Sequence, residues 1–402
     1  MTQSRLWIRL FLPFAAGYFL SYLYRTANAV IGPVLAGELE LNDNALGLLT
    51  STYFLAFGAA QLPLGMLLDR FGPRRVEAAL LVVAAAGAAV FAVASSLSGL
   101  AIGRAMIGLG VSACLMGSFK AFSQWFPAER QASLAGWVMA SGGLGALAAA
   151  KPLEFALGFA GWREIVLGLA LMTLLVAGII WRSVPDKEAP HTIGGFREQL
   201  DGLRNIFASS HFWRFAPMGF WLTGGFMAVQ GLWASRWMSV AEHLDPAQIA
   251  ARLTWMSLAM LGGFLFMGFF STWLVHKGIP LIRLYRLAMG TAFLSFAVIC
   301  WQPQFGGDWL WPLLAACFSL SNIAYSLVAQ AFSPHVSGRA NTALNVWIFA
   351  GAFGLQWGMG GLVDALQAAG WETLPAFRAA FLGLLGCQFL ALLWLLRPGD
   401  RR

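Results

Sequence analysis

Runs of about 20 mostly apolar residues recur twelve times along this chain, and that repetition restricts the fold more than any other feature. About 20 apolar residues is the length of an α-helix that crosses a bilayer. The runs fall at about 9–36, 45–68, 76–97, 99–122, 132–158, 164–182, 212–239, 251–275, 281–301, 308–331, 340–363 and 376–396. Of the 402 residues 59% are hydrophobic and 11% charged, against roughly 25% charged in soluble domains. A single water-soluble core stops growing near about 250–300 residues, so lipid is the solvent such a composition fits. The 18 Trp and 45 Gly agree, since Trp anchors membrane interfaces and Gly lets membrane helices pack closely. The expected fold class is an all-α membrane protein of twelve transmembrane helices. Cys114, Cys300, Cys317 and Cys387 lie inside apolar runs without C-x-x-C spacing and read as small buried residues, neither disulfides nor metal ligands. The first run continues far past signal-peptide length, so a retained first helix is expected.

The longest polar stretch, 183–211, divides the runs into six and six. This predicts an N-terminal bundle over 1–182, a linker over 183–211 and a C-terminal bundle over 212–402. Within the linker Phe196, Leu200, Leu203 and Phe207 recur at helical spacing, which predicts a short amphipathic helix along the membrane surface. With both termini on one side, that side carries 19 Lys and Arg and the other side 4; Arg25, Arg104 and Lys151 fall inside spans and complete the 26. The bias places both termini in the cytoplasm, at the inner membrane of a bacterial-type cell. It also accounts for the net charge of +8 without a nucleic-acid partner, since no basic run exceeds two residues.

Between the second and third runs, Gly65, Asp69, Arg70, Gly72, Arg74 and Arg75 stand at G-x-x-x-D-R-x-G-x-R-R spacing, with Pro73 ahead of the two arginines. This loop resembles the G-x-x-x-D-R-x-G-R-R loop of the major facilitator superfamily; Pro73 stands where a basic residue is common. Arg104, Gly108 and Gly110 resemble that family's R-x-x-x-G-x-G segment in helix four. The stretch Trp125, Pro127, Glu129 and Arg130 resembles the loop after it, and Gly161, Trp162 and Arg163 resemble the start of helix six. A weak echo joins the halves: a Pro and then an Arg follow both helix four (Pro127, Arg130) and helix ten (Pro334, Arg339). The resemblance covers essentially the whole chain. It implies two pseudo-symmetric six-helix bundles around a cavity, alternating access, no enzyme activity and no cofactor. It implies a gating role for Gly65, Asp69, Arg70, Gly72, Arg74, Arg104, Glu129 and Arg130. A carboxylate such as Asp69 at the membrane edge can cap a helix or pair with an Arg in one state and release it in the other.

An ionisable side chain inside a span costs roughly 2.5–3.5 kcal/mol and marks a functional candidate. Arg25 lies mid-span between Tyr22 and Asn28, reminiscent of the Y-x-D-R-x-N pattern of the family's anion/cation symporters but without its Asp. Lys151 is the second candidate, with pairing to Glu154 at i+3 as its alternative. The second half offers neutral groups: Gln230, Asn322, Tyr325, Asn345 and Gln356, with Trp221 and Trp233 as aromatic walls. Helix–helix hydrogen bonding is the alternative for each. Fixed positive charge with hydrogen-bond donors suits a small anion such as an organic acid. Glu154 is read as the one embedded carboxylate, leaving open whether a proton travels with the solute. Export by proton antiport, copper uptake through Met256 and Met260, and a non-transporting sensor or assembly factor are the rival readings. The drug-exporter Gly-Pro dipeptide is absent from helix five, where Ser141, Gly142 and Gly143 stand. No hydrolase or nucleotide-binding motif is present. A monomer in the bilayer with a small-molecule substrate is expected.

Overall fold

A computed structural model describes residues 7–126, 131–185, 204–302, 305–330, 332 and 334–397. The described residues form twelve helices: α1 over residues 7–38, α2 over 43–71, α3 over 73–93, α4 over 97–125, α5 over 131–157 and α6 over 162–183. After the linker come α7 over 210–241, α8 over 246–276, α9 over 281–301, α10 over 307–329, α11 over 334–368 and α12 over 373–396. Eight of them are long and apolar enough to cross a membrane on those grounds alone. The other four are α1, α2, α5 and α7. Of the linker only its ends are described; Phe207 packs on Phe212, Trp213 and Trp347, and Phe196, Leu200 and Leu203 lie outside the described residues.

Local chemistry explains the boundaries. Asn42 caps α2 by accepting the Ala45 N–H at 2.8 Å, and Ser96 caps α4 through Gly99 N at 3.2 Å. The α2–α3 turn is made at Gly72, whose φ of 77° and ψ of 156° would strain any side chain. Pro73 follows at the start of α3, where its missing N–H costs nothing.

The two halves repeat one packing scheme. In the first, Gly145 of α5 lies against the Phe19 carbonyl of α1, and Gly108 of α4 against the Tyr53 backbone of α2. In the second, a methyl on Gly351 of α11 would stand 2.5 Å from the Phe220 carbonyl of α7, and one on Gly263 of α8 would stand 2.9 Å from the Ala316 carbonyl of α10. Small residues thus let backbones approach at matching crossings six helices apart. Helices α6, α9 and α12 turn large apolar side chains outward, with Leu171 at 68%, Leu287 at 68% and Leu390 at 66% exposure. A belt of that extent is stable only against lipid.

The halves meet on the side opposite the termini. There α2 meets α11: Asn44 N–H donates to Asp364 Oδ2 at 3.0 Å, Trp357 Nε1–H to Asn44 Oδ1 at 2.7 Å, and Gln356 Nε2 to Thr50 Oγ1 at 3.0 Å. Arg236 of α7 pairs with Asp43 at 2.6 Å. Between α5 and α8, Lys151 N–H donates to Thr254 Oγ1 at 3.1 Å.

Candidate functional site

Beneath this closure lies a cavity of about 400 Å³ between the halves. Its lining runs through Tyr18, Tyr22 and Arg25 of α1, Phe57 and Gln61 of α2 and Ser112 of α4, then across to Asn322 and Tyr325 of α10 and Asn341, Asn345 and Phe349 of α11. Helical spacing explains the set: Tyr18, Tyr22 and Arg25 are at i, i+4 and i+7, and Asn341, Asn345 and Phe349 at i, i+4 and i+8, so each group forms one stripe. The lining reaches Phe119 near the end of α4 and Asn341 near the start of α11, so the cavity extends toward the side of the termini while the opposite side is closed.

Breaks in the helices supply part of the polarity. Helix α4 interrupts at Ser112–Ala113 and its counterpart α10 at Ser321–Asn322. At the first break the Ser112 carbonyl accepts a hydrogen bond from Gln61 Nε2 at 3.2 Å. Helix α1 breaks at Ala27, and there the Tyr24 carbonyl receives Arg104 Nη1 at 3.0 Å. Irregular backbone at membrane depth occurs where it lines a cavity or is otherwise paired.

Arg25 is 7% exposed, and it is the one charged side chain among the described residues that line the cavity. Its guanidinium carbon lies 4.6 Å from the Tyr22 ring, 5.2 Å from Phe57 and 5.5 Å from Phe349. The ionisable groups around it are the hydroxyls of Tyr53, Tyr22 and Tyr18. No carboxylate pairs with it among the described residues, and its buried Nε has no hydrogen-bond partner. Three aromatic faces hold the cation while leaving its charge uncompensated. Across the cavity the Tyr325 hydroxyl donates to Asn345 Oδ1 at 2.7 Å.

Of the residues singled out in the sequence, Tyr22, Arg25, Asn322, Tyr325 and Asn345 come together here. The rest do not line the cavity. Asn28 is enclosed just past the α1 break with its Nδ2 unpartnered. Lys151 is half exposed and pairs with Glu154 at 2.8 Å, the alternative already stated for it. Trp221 O accepts Gln388 Nε2, and Gln230 Nε2 reaches the Met260 sulfur at 3.9 Å. Gln356 belongs to the far-side closure, where its carbonyl also accepts Trp233 Nε1–H at 3.1 Å. Met256 and Met260 are fully enclosed and outside the lining. Tyr18, Gln61, Ser112 and Asn341 were missed, although each stands on one helical stripe with a residue that was named or at a break.

Residues 14–355 match the family profile of the Major Facilitator Superfamily. The chain belongs to that superfamily. It is 25% identical over 403 residues to the hexuronate transporter of Escherichia coli (strain K12), covering 92% of this chain and 90% of that one. It is 23% identical to a probable L-galactonate transporter of the same organism, covering 79% and 80%. A probable sulfoacetate transporter of Cupriavidus necator is 25% identical over 246 residues, 58% of this chain and 57% of that one. Among solved structures, a D-xylose-proton symporter superposes with a TM-score of 0.75 at 14% identity, covering 97% of each chain. A bacterial homologue of human lysosomal Spinster, inward-facing and unoccupied, gives 0.71 at 17% identity, covering 98% and 95%.

In this superfamily member the α2–α3 loop turns at Gly72. Gly65 is on α2, Arg70 is exposed with its guanidinium 5.2 Å from the Phe71 ring, and the Arg74 guanidinium lies 5.4 Å from the Trp181 ring of α6. The Asp69 side chain, Glu129 and Arg130 lie outside what the structure describes. Arg104 is remote from this loop and ties α4 to the α1 break instead. The embedded carboxylate differs from the one expected: Glu154 is partly exposed and paired, whereas Glu77 of α3 is fully enclosed.

Proposed function

We propose that this protein takes up a small organic anion across the inner membrane by alternating access. The observation that carries the reading is Arg25: an enclosed guanidinium facing a cavity, with no carboxylate among the described residues to neutralise it. A cation left uncompensated at membrane depth is costly unless the ligand supplies the counter-charge. The volume suits a sugar-acid-sized solute, and the amides and hydroxyls of Asn322, Tyr325 and Asn345 suit its hydroxyl groups. The names of the relatives, hexuronate, L-galactonate and sulfoacetate transporters, agree in one respect, an acidic small solute.

The Lys and Arg bias assigns the side of the termini to the cytoplasm, which makes the conformation described inward-facing, with both bundles (1–182 and 212–402) parted on that side. The Asp69 loop, with Gly65, Arg70, Gly72 and Arg74, acts as the latch of the opposite state. Asp69→Asn should then cut transport while leaving solute affinity in place. A co-transported proton makes the uptake of an anion against the membrane potential favourable.

The test is a thermal-shift screen of purified protein against glucuronate, galacturonate, galactonate and sulfoacetate, each beside a neutral analogue, followed by uptake into proteoliposomes. Binding of a specific ligand raises the melting temperature by mass action. Stabilisation by an acid and not by its neutral analogue supports the reading; equal effects of both, or none from any acid, overturn it.

A further inference from the structure

One ionisable group in the membrane interior has no part in the site above. Glu77 stands one turn into α3, shortly after the turn at Gly72, and is wholly enclosed. Its two carboxyl oxygens are keyed into two glycines on two other helices. A methyl on Gly17 of α1 would stand 2.5 Å from Oε1, and a methyl on Gly117 of α4 would stand 2.5 Å from Oε2. Among the described residues neither oxygen has a hydrogen-bond partner under ordinary geometry. The ionisable groups set around it are the Cys114 thiol, which faces it from α4, and beyond that Arg25, whose field reaches Cys114.

Three constraints follow. An unpaired carboxylate enclosed among apolar helices is far more costly than the neutral acid, which carries no net charge to desolvate. A hydrated metal ion does not fit, because both oxygens already abut the glycine backbones; a proton needs no room. And the residues beside the glycine walls, Tyr18 on α1 and Leu115 and Met116 on α4, line the central cavity. A small parting of α1 and α4 therefore opens the carboxyl to whichever side the cavity faces.

We propose that Glu77 is the proton-binding site of this transporter. Its O–H bond forms with a proton from the outer side while the cavity faces outward. The acid is enclosed in the conformation described here, and the bond breaks to cytoplasmic water when α1 and α4 part. One proton carried with one monovalent anion makes the cycle electroneutral. The proton-binding role stands on the geometry of Glu77 alone; the coupling role rests on the anion-transport reading.

Two measurements on the full-length protein separate the two roles. In the first, infrared difference spectra of the protein in lipid are recorded across a pH titration through neutrality. The wild type is expected to show the carbonyl band of a neutral carboxylic acid at neutral pH, absent in Glu77→Gln and displaced in Glu77→Asp. A wild type without the band, or a band that survives in Glu77→Gln, overturns the site. If Glu77→Gln does not fold, an undisplaced band in Glu77→Asp overturns it equally. In the second, glucuronate uptake into proteoliposomes is measured with and without an inward proton gradient of about one pH unit, which drives about tenfold accumulation of an anion carried with one proton. The wild type should respond and Glu77→Gln should not; a Glu77→Gln protein that follows the gradient as the wild type does overturns the coupling role. If the wild type carries no glucuronate, the anion reading fails for that probe, and the infrared result still decides whether Glu77 holds a proton.

Discussion

The two walls of the cavity come from chemically different halves. The N-terminal half presents Arg25 against its own Tyr22 and Phe57, with Phe349 of the other half as the third ring, and keeps Arg104 and Glu77 enclosed. The C-terminal half presents Asn322, Tyr325, Asn341 and Asn345, all neutral. On the reading proposed above, two bundles with the same backbone scheme divide the work: one would read charge and the other shape and hydroxyl pattern. The difference has a physical reason. A fixed charge in a low-dielectric cavity gives strong but poorly directed attraction, whereas amide and hydroxyl groups discriminate by hydrogen-bond geometry.

Variants that break this division should differ in size. The largest effect is expected from Arg25→Gln, which removes a charge-assisted contact of about 1.5–3 kcal/mol and should weaken anion binding roughly ten- to hundredfold in a calorimetric titration. Arg25→Lys should recover only part of it, because a point charge does not reproduce the planar fork or its stacking on three rings. Next is Asp43→Asn at the far-side closure, where the charges are distributed the other way, an acid on the first half and Arg236 on the second. Asp43 is buried and Arg236 partly so; losing the pair should shift the equilibrium toward the outward-open state by about 1–2 kcal/mol, roughly tenfold. Thiol labelling of single cysteines on that side should rise accordingly, and unchanged labelling would remove the pair from the gate.

A smaller change is expected from Tyr325→Phe. The phenol holds Asn345 Oδ1 at 2.7 Å, and its loss should cost about 1 kcal/mol, around fivefold in affinity, while leaving the preference for an anion over its neutral analogue intact. If the preference itself falls, charge is read by both walls. The smallest effect belongs to Glu38→Gln. Glu38 accepts Trp162 Nε1–H at 2.6 Å and the Arg163 guanidinium, joining α1 to α6 at the surface. The pair is exposed, so a slight drop in melting temperature that vanishes in high salt is the expected result.

Much of the fold was legible in the sequence because lipid imposes a length on each helix. The α2–α3 turn at Gly72 and the start of α6 at Trp162 lie close to where the apolar runs and the Gly and Trp residues put them. Depth along a helix was legible for the same reason, and it picked out Arg25. Azimuth was not. Lys151 and Arg25 look alike in a hydropathy trace, yet one reaches the exposed end of α5 and pairs with Glu154 while the other faces the cavity. Gln356 and Asn345 share α11, eleven residues apart, a spacing that returns to nearly the same face. They nonetheless serve the closure and the cavity, because the two bundles converge on one side and part on the other. Glu77 was missed because its enclosure depends on Gly17 and Gly117, which are distant in sequence and meet it only once α1, α3 and α4 pack.

That Arg25 reads the charge of the solute is checked by calorimetric binding of glucuronate and of glucose, the same ring without the carboxylate, to the wild type and to Arg25→Gln. The wild type should bind the acid at least about tenfold more tightly than the neutral sugar, and Arg25→Gln should bring the two within about twofold of each other. An acid preference that persists undiminished in a folded Arg25→Gln protein would contradict the charge-reading role of this wall.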